Sequence, residues 1–214
     1  MAAAPSAAAQ TGCIVTIGRS YGAGGRSIGK LVAEELHIPY YDAELLEKAA
    51  QSHGLSEKVL RNMDEKPLHS AMIYRSVGLG TPGYDDLATL ATRSQVEVIE
   101  CVAEEGPCVI VGRLADQVLR GRYDLLSVFI TASEESRIQH VMQREGLSHE
   151  EAARQMRKVE KERAAFYNQR SATRWGAAEG YDLCVNTDWY GPEKAAHLIA
   201  SLAREQTPTA GKTK

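Results

Sequence analysis

The chain has 214 residues, 43% of them hydrophobic and 25% charged, with a formal net charge of −3. Those proportions fit one globular domain, or one domain with an inserted lid, and leave room for a sizeable core. The slight acidity argues against bulk attraction to nucleic acid or to an anionic membrane, so an anion site has to be built from local arginines.

The alanine-rich start, 1–11, has neither the basic opening nor the leucine-rich centre of an export signal and reads as a flexible tail. No apolar run reaches the length of a membrane span, which makes the cytoplasm the expected compartment. Cys13, Cys101, Cys108 and Cys184 are too scattered for a zinc pattern and read as reduced core thiols. The six histidines show no H-E-x-x-H or similar ligand spacing.

The first element is the β-branched run Ile14-Val15-Thr16-Ile17, which passes straight into Gly18-Arg19-Ser20-Tyr21-Gly22-Ala23-Gly24-Gly25-Arg26-Ser27. A helix follows, with Ile28, Leu31, Val32 and Leu36 on one face, and His37-Ile38-Pro39 stops it before a short strand at Tyr40-Tyr41. Asp42 is placed to cap a helix through Leu45, Leu46 and Ala49 that ends near His53-Gly54, and Ser56 opens another. Prolines and glycines break any period over about 66–86, which reads as a mobile or substrate-covering segment. A helix over 87–104, a strand from Cys108 to Val111 and a strand from Leu125 to Ile130 come next. Ser148 to Ala172 reads as a long charged helix, Leu183 to Asn186 as a last strand, and Gly191-Pro192 as the opening of a final amphipathic helix. The chain from Gln206 on reads as a second flexible tail. Strands alternating with helices predict an α/β fold, a parallel β-sheet flanked by helices, with ligands at the strands' carboxyl ends.

The glycine loop lies at such an end. Glycines let successive backbone N–H groups turn inward, and the helix behind them adds its N-terminal donors and positive dipole end, which together suit a phosphate. The pattern is close to the P-loop G-x-x-x-x-G-K-[ST], but its lysine is missing: Gly25 and Arg26 precede Ser27. Ser27 retains the hydroxyl that holds Mg²⁺ in such loops, and Arg26 is the candidate to supply the lost charge.

Taken with Ile38-Pro39-Tyr40-Tyr41-Asp42, Val109-Ile110-Val111-Gly112-Arg113, the segment from Lys158 to Asn168 and Tyr181-Asp182-Leu183-Cys184-Val185-Asn186, the loop resembles the cytidylate kinase-like family of P-loop nucleoside monophosphate kinases. The likeness runs over about residues 12 to 203. It implies a P-loop kinase domain over 12–205, with an acceptor-binding region at about 37–86 and a helical lid at about 146–175. It also implies ATP and Mg²⁺ as cofactors and a small-molecule partner, a nucleotide; oligomeric state stays open. Matched to the family's loop, the P-loop lysine position falls on Gly25, and the family's acceptor pattern, Tyr-Leu-Asp-Ser-Gly-Ala-Met-Tyr-Arg, is replaced here by Tyr40-Tyr41-Asp42-Ala43-Glu44-Leu45-Leu46-Glu47-Lys48.

Phosphoryl transfer asks the protein for positioning and positive charge. On this reading Gly18, Gly22, Gly24, Gly25 and Ser27 hold phosphate, with Ser27 also the metal ligand. Arg26, Arg113, Arg163 and Lys158 surround the transferring group, and Tyr41, Asp42 and Asp116 serve the acceptor. Each has a plainer alternative. Arg113 can be a surface loop charge; Asp116 can orient Arg113, meet a metal-bound water or cap a helix; Asp42 can be only a cap. Lys158 and Arg163 can belong to a solvated face laced by i,i+4 pairs. Arg137 and Arg144, on the helix before the lid, can anchor the lid or stay on the surface. The missing lysine leaves open a nucleotide-binding sensor without catalysis, and the altered acceptor pattern leaves open a kinase for a non-nucleotide hydroxyl.

Overall fold

The computed structural model describes residues 12–52 and 95–206. The tail at 1–11, the helix from Ser56, the segment 66–86, the first part of the helix over 87–104 and the tail beyond Gln206 lie outside the described residues.

Five strands, β1 (Ile14–Arg19), β2 (Tyr40–Tyr41), β3 (Val109–Val111), β4 (Leu125–Thr131) and β5 (Leu183–Asn186), make one sheet in the order β2-β3-β1-β4-β5, every pair parallel. The helices are α1 (Gly25–Leu36), α2 (Ala43–Ser52), α3 (95–104), α4 (Ala115–Leu119), α5 (Glu134–Glu145), α6 (His149–Asn168) and α7 (Thr187–Glu205). The most apolar strand is central: Val15 sits opposite Val109 on one side and Leu126 on the other. A strand buried on both faces reads as a continuous β-branched run, which is how 14–17 reads.

Alternation along β1 divides the core. Val15 and Ile17 join Ile28 and Val32 of α1 and Ala196 and Ile199 of α7 on one face, while Ile14 joins Leu46, Val98, Ile99 and Leu119 on the other. Each such side chain contributes about 1.5–3 kcal/mol on burial. Gly29 lets α1 lie close to the sheet, since a Cβ there would stand 2.8 Å from Val111 Cγ2 and 3.1 Å from Tyr40 Cε2. A third cluster, Ile138 and Val141 of α5 with Ala152, Ala153 and Met156 of α6, joins those two helices beside Tyr21 of the glycine loop.

Three expectations need adjusting. The charged helix ends at Asn168, not Ala172, and its start is fixed by a capping box in which Ser148 and Glu151 satisfy each other's backbone N–H. The last helix begins at Thr187, where Asn186 Oδ1 accepts from the Asp188 amide at 3.0 Å, and Gly191 (φ 68°, ψ 172°) only kinks it. Gly-Pro therefore marks a break inside the element, because proline at its first turn fits a restarting helix. Cys184 is exposed, whereas Cys13 and Cys108 are buried as expected. Asp42 does cap α2, its Oδ1 accepting from the amides of Glu44 and Leu45 at 3.1 and 3.2 Å.

Candidate active site

The glycine loop turns between β1 and α1 through two left-handed residues, Gly22 (φ 85°) and Gly24 (φ 80°). Its far side rests on α5: a Cβ on Gly22 would lie 2.6 Å from the Arg137 carbonyl oxygen, and His140 Nδ1 is 3.0 Å from the Gly22 carbonyl. Ser20 holds the loop to the next strand, its amide donating to the Ile130 carbonyl at 2.9 Å. The loop is thus clamped from behind, and its open side faces the carboxyl edge of the sheet.

There the ends of β1 and β3 and the inner side of α6 enclose a cleft. Gly18 and Arg19 enter it from β1, Gly112 and Arg113 from the turn after β3, Asp116 from α4, and Arg163 and Tyr167 from α6. The turn after β3 is unusual, with three successive residues left-handed: Gly112 (φ 80°), Arg113 (φ 62°) and Leu114 (φ 58°). Non-glycine residues in that region cost about 1–3 kcal/mol each and cluster where function over-determines the backbone. The effect is to set Arg113, a residue only 7% exposed, into the lining of the cleft.

Arg163 reaches in from α6 and donates from Nη1 to the Arg19 carbonyl at 3.3 Å, with its guanidinium 5.3 Å from the Tyr21 ring centre. Behind it, Arg137 of α5 pairs with Glu160 of α6 and donates from Nε to the Ala132 carbonyl at 3.1 Å, so it ties the two helices together rather than standing free on the surface. Arg144 lies farther out, 5.0 Å from the Tyr21 ring.

Asp116 is buried in the first turn of α4, where it accepts from the Tyr167 hydroxyl at 2.6 Å and from Gln117 Nε2 at 2.7 Å. It does not cap that helix, whose N-cap is Leu114. Burial first, and then the hydrogen bond to Asp116, raise the Tyr167 hydroxyl above its ordinary value, so it stays a donor. An aromatic wall closes the cleft: Trp175 meets Phe129 edge-on at 5.5 Å and Tyr181 lies 4.9 Å from the same ring. Gly18 makes that wall possible, since a Cβ on it would come within 2.9 Å of Phe129 Cδ2.

Of the residues singled out from the sequence, Gly18, Arg113, Asp116 and Arg163 share this cleft, with Gly22, Gly24, Gly25 and Ser27 on the adjoining loop and first turn of α1. Arg26 points outward, its side chain 64% exposed and its Nε 4.0 Å from Asp42 Oδ2. Lys158 is exposed on α6, and Tyr41 packs under the sheet beside the second core cluster; neither lines the cleft. Sequence reasoning overlooked Arg19 and gave Tyr167, Trp175 and Tyr181 no place in the site. Arg19 stood inside the quoted loop, and its position at a strand's carboxyl end was the available signal.

Among the described residues no cluster of three carboxylate, histidine or cysteine side chains is placed to cage a metal. Ser27, exposed at the first turn of α1, presents a hydroxyl that fits a Mg²⁺ held mainly by substrate phosphates and water.

A parallel sheet whose central strand runs through a glycine loop into a helix, with arginines gathered at its carboxyl edge, defines the P-loop kinase class of fold. Within it the chain belongs to the cytidylate kinase-like family, whose model matches residues 14–189. It is 26% identical over 198 residues to the cytidylate kinase of Methanopyrus kandleri, covering 88% of this chain and 92% of that one. An uncharacterised protein from Eubacterium ventriosum superposes with a TM-score of 0.69 at 25% identity, over 91% of this chain and 99% of the other. TT1252 from Thermus thermophilus shares the fold at TM-score 0.50 and 20% identity, over 92% of this chain and all of the other. Among the described residues no helix is long and apolar enough to cross a membrane.

Proposed function

We propose that the protein transfers the γ-phosphoryl group of ATP to a nucleoside monophosphate. An acceptor phosphate oxygen attacks the γ-phosphorus, the bond from that phosphorus to the β–γ bridging oxygen breaks, and ADP leaves. The observation that carries the reading is the convergence of Arg19, Arg113 and Arg163, from three separate elements, on one cleft beside the glycine loop. Charge spreads over the equatorial oxygens of the transferring group, and fixed guanidinium groups in a partly dry site stabilise it without reorganising.

The chain's own residues divide the work. Gly22 and Gly24 shape the backbone cradle, Arg113 is held in the cleft by its strained turn, and Arg163 rides on a helix that covers the site. Asp116, Gln117 and Tyr167 fasten that helix to the turn carrying Arg113. Ser27 would give its hydroxyl to Mg²⁺, whose charge offsets that of the phosphates when it is bound. Trp175 and Tyr181, which line the cleft and pack on the buried Phe129 ring behind them, supply flat surface suited to a planar base.

The test is ADP release from Mg·ATP with CMP, dCMP, UMP, AMP and a set of small alcohols offered one at a time. Turnover with a nucleoside monophosphate is the expected result, and Arg113→Ala should lower kcat by about 10²–10³, the usual cost of one preorganised charge-stabilising group. The changed acceptor pattern at Tyr40–Lys48 favours a second reading, a non-nucleotide hydroxyl acceptor, which turnover confined to the alcohols would establish.

A further inference from the structure

Gly25 occupies the place of the P-loop lysine, and its own backbone does not demand glycine: it is the first residue of α1 and is absent from the left-handed set that includes Gly22 and Gly24. The demand is steric. A Cβ on Gly25 would stand 2.7 Å from Arg19 Cβ and 2.8 Å from Arg19 Cγ, closer than side chains pack. The stem of Arg19 therefore crosses the space a lysine would need to leave α1. From there Arg19 lines the cleft with Arg113 and Arg163, and the Arg163 guanidinium docks on its carbonyl. Arg26, next along the helix, faces solvent and the Asp42 carboxylate instead.

We propose that Arg19 is the phosphate-binding cation of this site, delivered from the end of β1 across Gly25 in place of a lysine on α1, and that it holds the terminal phosphate oxygens of the nucleoside triphosphate. The inference deepens the kinase reading and rests on it for the identity of the ligand. An arginine at a strand end suits the task, because its planar fork offers two parallel N–H donors to one phosphate and its root is fixed by the sheet. A glycine at position 25 is then a requirement of the arginine, and the two positions form one device.

The test is ATP affinity, measured by calorimetry on the full chain for wild type, Arg19→Ala, Arg19→Lys, Arg26→Ala, Gly25→Lys and the pair Arg19→Ala/Gly25→Lys, with circular dichroism confirming that each is folded. Arg19→Ala should weaken ATP binding by about tenfold or more, the loss of a charge-assisted contact, and Arg19→Lys should recover part of it. Gly25→Lys alone should also weaken binding, through collision with the Arg19 stem, and the pair should bind ATP more tightly than either single variant. If Gly25→Lys does not fold, Arg19→Lys against Arg19→Ala still decides. Wild-type affinity in Arg19→Ala, or loss in Arg26→Ala with none in Arg19→Ala, overturns the assignment. Wild-type protein that binds ATP yet transfers nothing overturns the kinase reading alone, and wild-type protein that binds no ATP overturns both.

Discussion

Tyr167 illustrates how a single side chain can join two parts of the site. Its ring is buried at the end of α6 and its hydroxyl donates to Asp116 at 2.6 Å, within reach also of Gln117. Removing that hydroxyl leaves a buried carboxylate with one fewer donor, and hydrogen bonds to such groups contribute about 1.5–3 kcal/mol. Tyr167→Phe should therefore lower the unfolding free energy by that much, seen as a lower urea midpoint with an unchanged m-value, and should lower turnover as well by loosening α6 over Arg113. An unchanged midpoint would show that the contact carries no stability. At this scale the sequence is only partly readable. Arg113 and Arg163 were found because one follows a strand and the other lies on a helix face near Met156 and Tyr167. The three consecutive left-handed residues at 112–114 and the passage of Arg19 over Gly25 were hidden, because both depend on how separate segments crowd one another.

Among elements, the closest partnership on one face of the sheet is that of α1 with α7. The apolar part is Val32 and Ala33 against Ala196, Ile199 and Ala203, where small residues let the helices approach. The polar part is Glu35, which accepts from His197 Nδ1 at 2.9 Å and Arg204 Nη1 at 3.0 Å, while Arg204 Nη2 donates to the Glu35 carbonyl at 2.8 Å. Burial tends to raise the Glu35 carboxyl, but the hydrogen bonds from Arg204 and His197 outweigh it and hold it below its ordinary value. The native state thus binds fewer protons there than the unfolded chain, so this stability is full above the unfolded carboxylate value, about 4.3, and drains as pH falls through the lower folded one. Glu35→Gln should cost up to about 1 kcal/mol at neutral pH, the scale of a partly exposed pair, and much less at pH about 3. Urea unfolding at both pH values checks it; a difference independent of pH would assign the cost to something other than the carboxylate's charge. Most element types and their order were legible among the described residues, since Ile14–Ile17 is an unbroken β-branched run and Ile28–Leu36 carries a clean helical period. Boundaries were less so, because α6 and α7 start at side-chain caps, Ser148 and Asn186, which weigh little beside a Gly-Pro pair in a bare sequence.

For the whole molecule, the strand order places β1 between the two halves of the sheet, so the loop after it opens where connections diverge to either side. The cleft forms there, and α5 and α6 pack as a unit against the back of the loop through Tyr21, Met156 and the Arg137–Glu160 pair. α5 ends at the left-handed cap Gly146 and turns directly into α6, so the packed pair brings Arg163 to the cleft. The fold was legible at this scale because alternation of strand and helix admits few topologies. The acceptor was not, because selection among hydroxyls and phosphates depends on the shape of a cleft drawn from four distant parts of the chain. The most direct measurement follows the terminal phosphoryl group itself, using ATP labelled at the γ-phosphorus with each nucleoside monophosphate in turn. Label is expected to appear in a nucleoside diphosphate. Label that stays in ATP, or passes only to inorganic phosphate, would contradict the kinase reading.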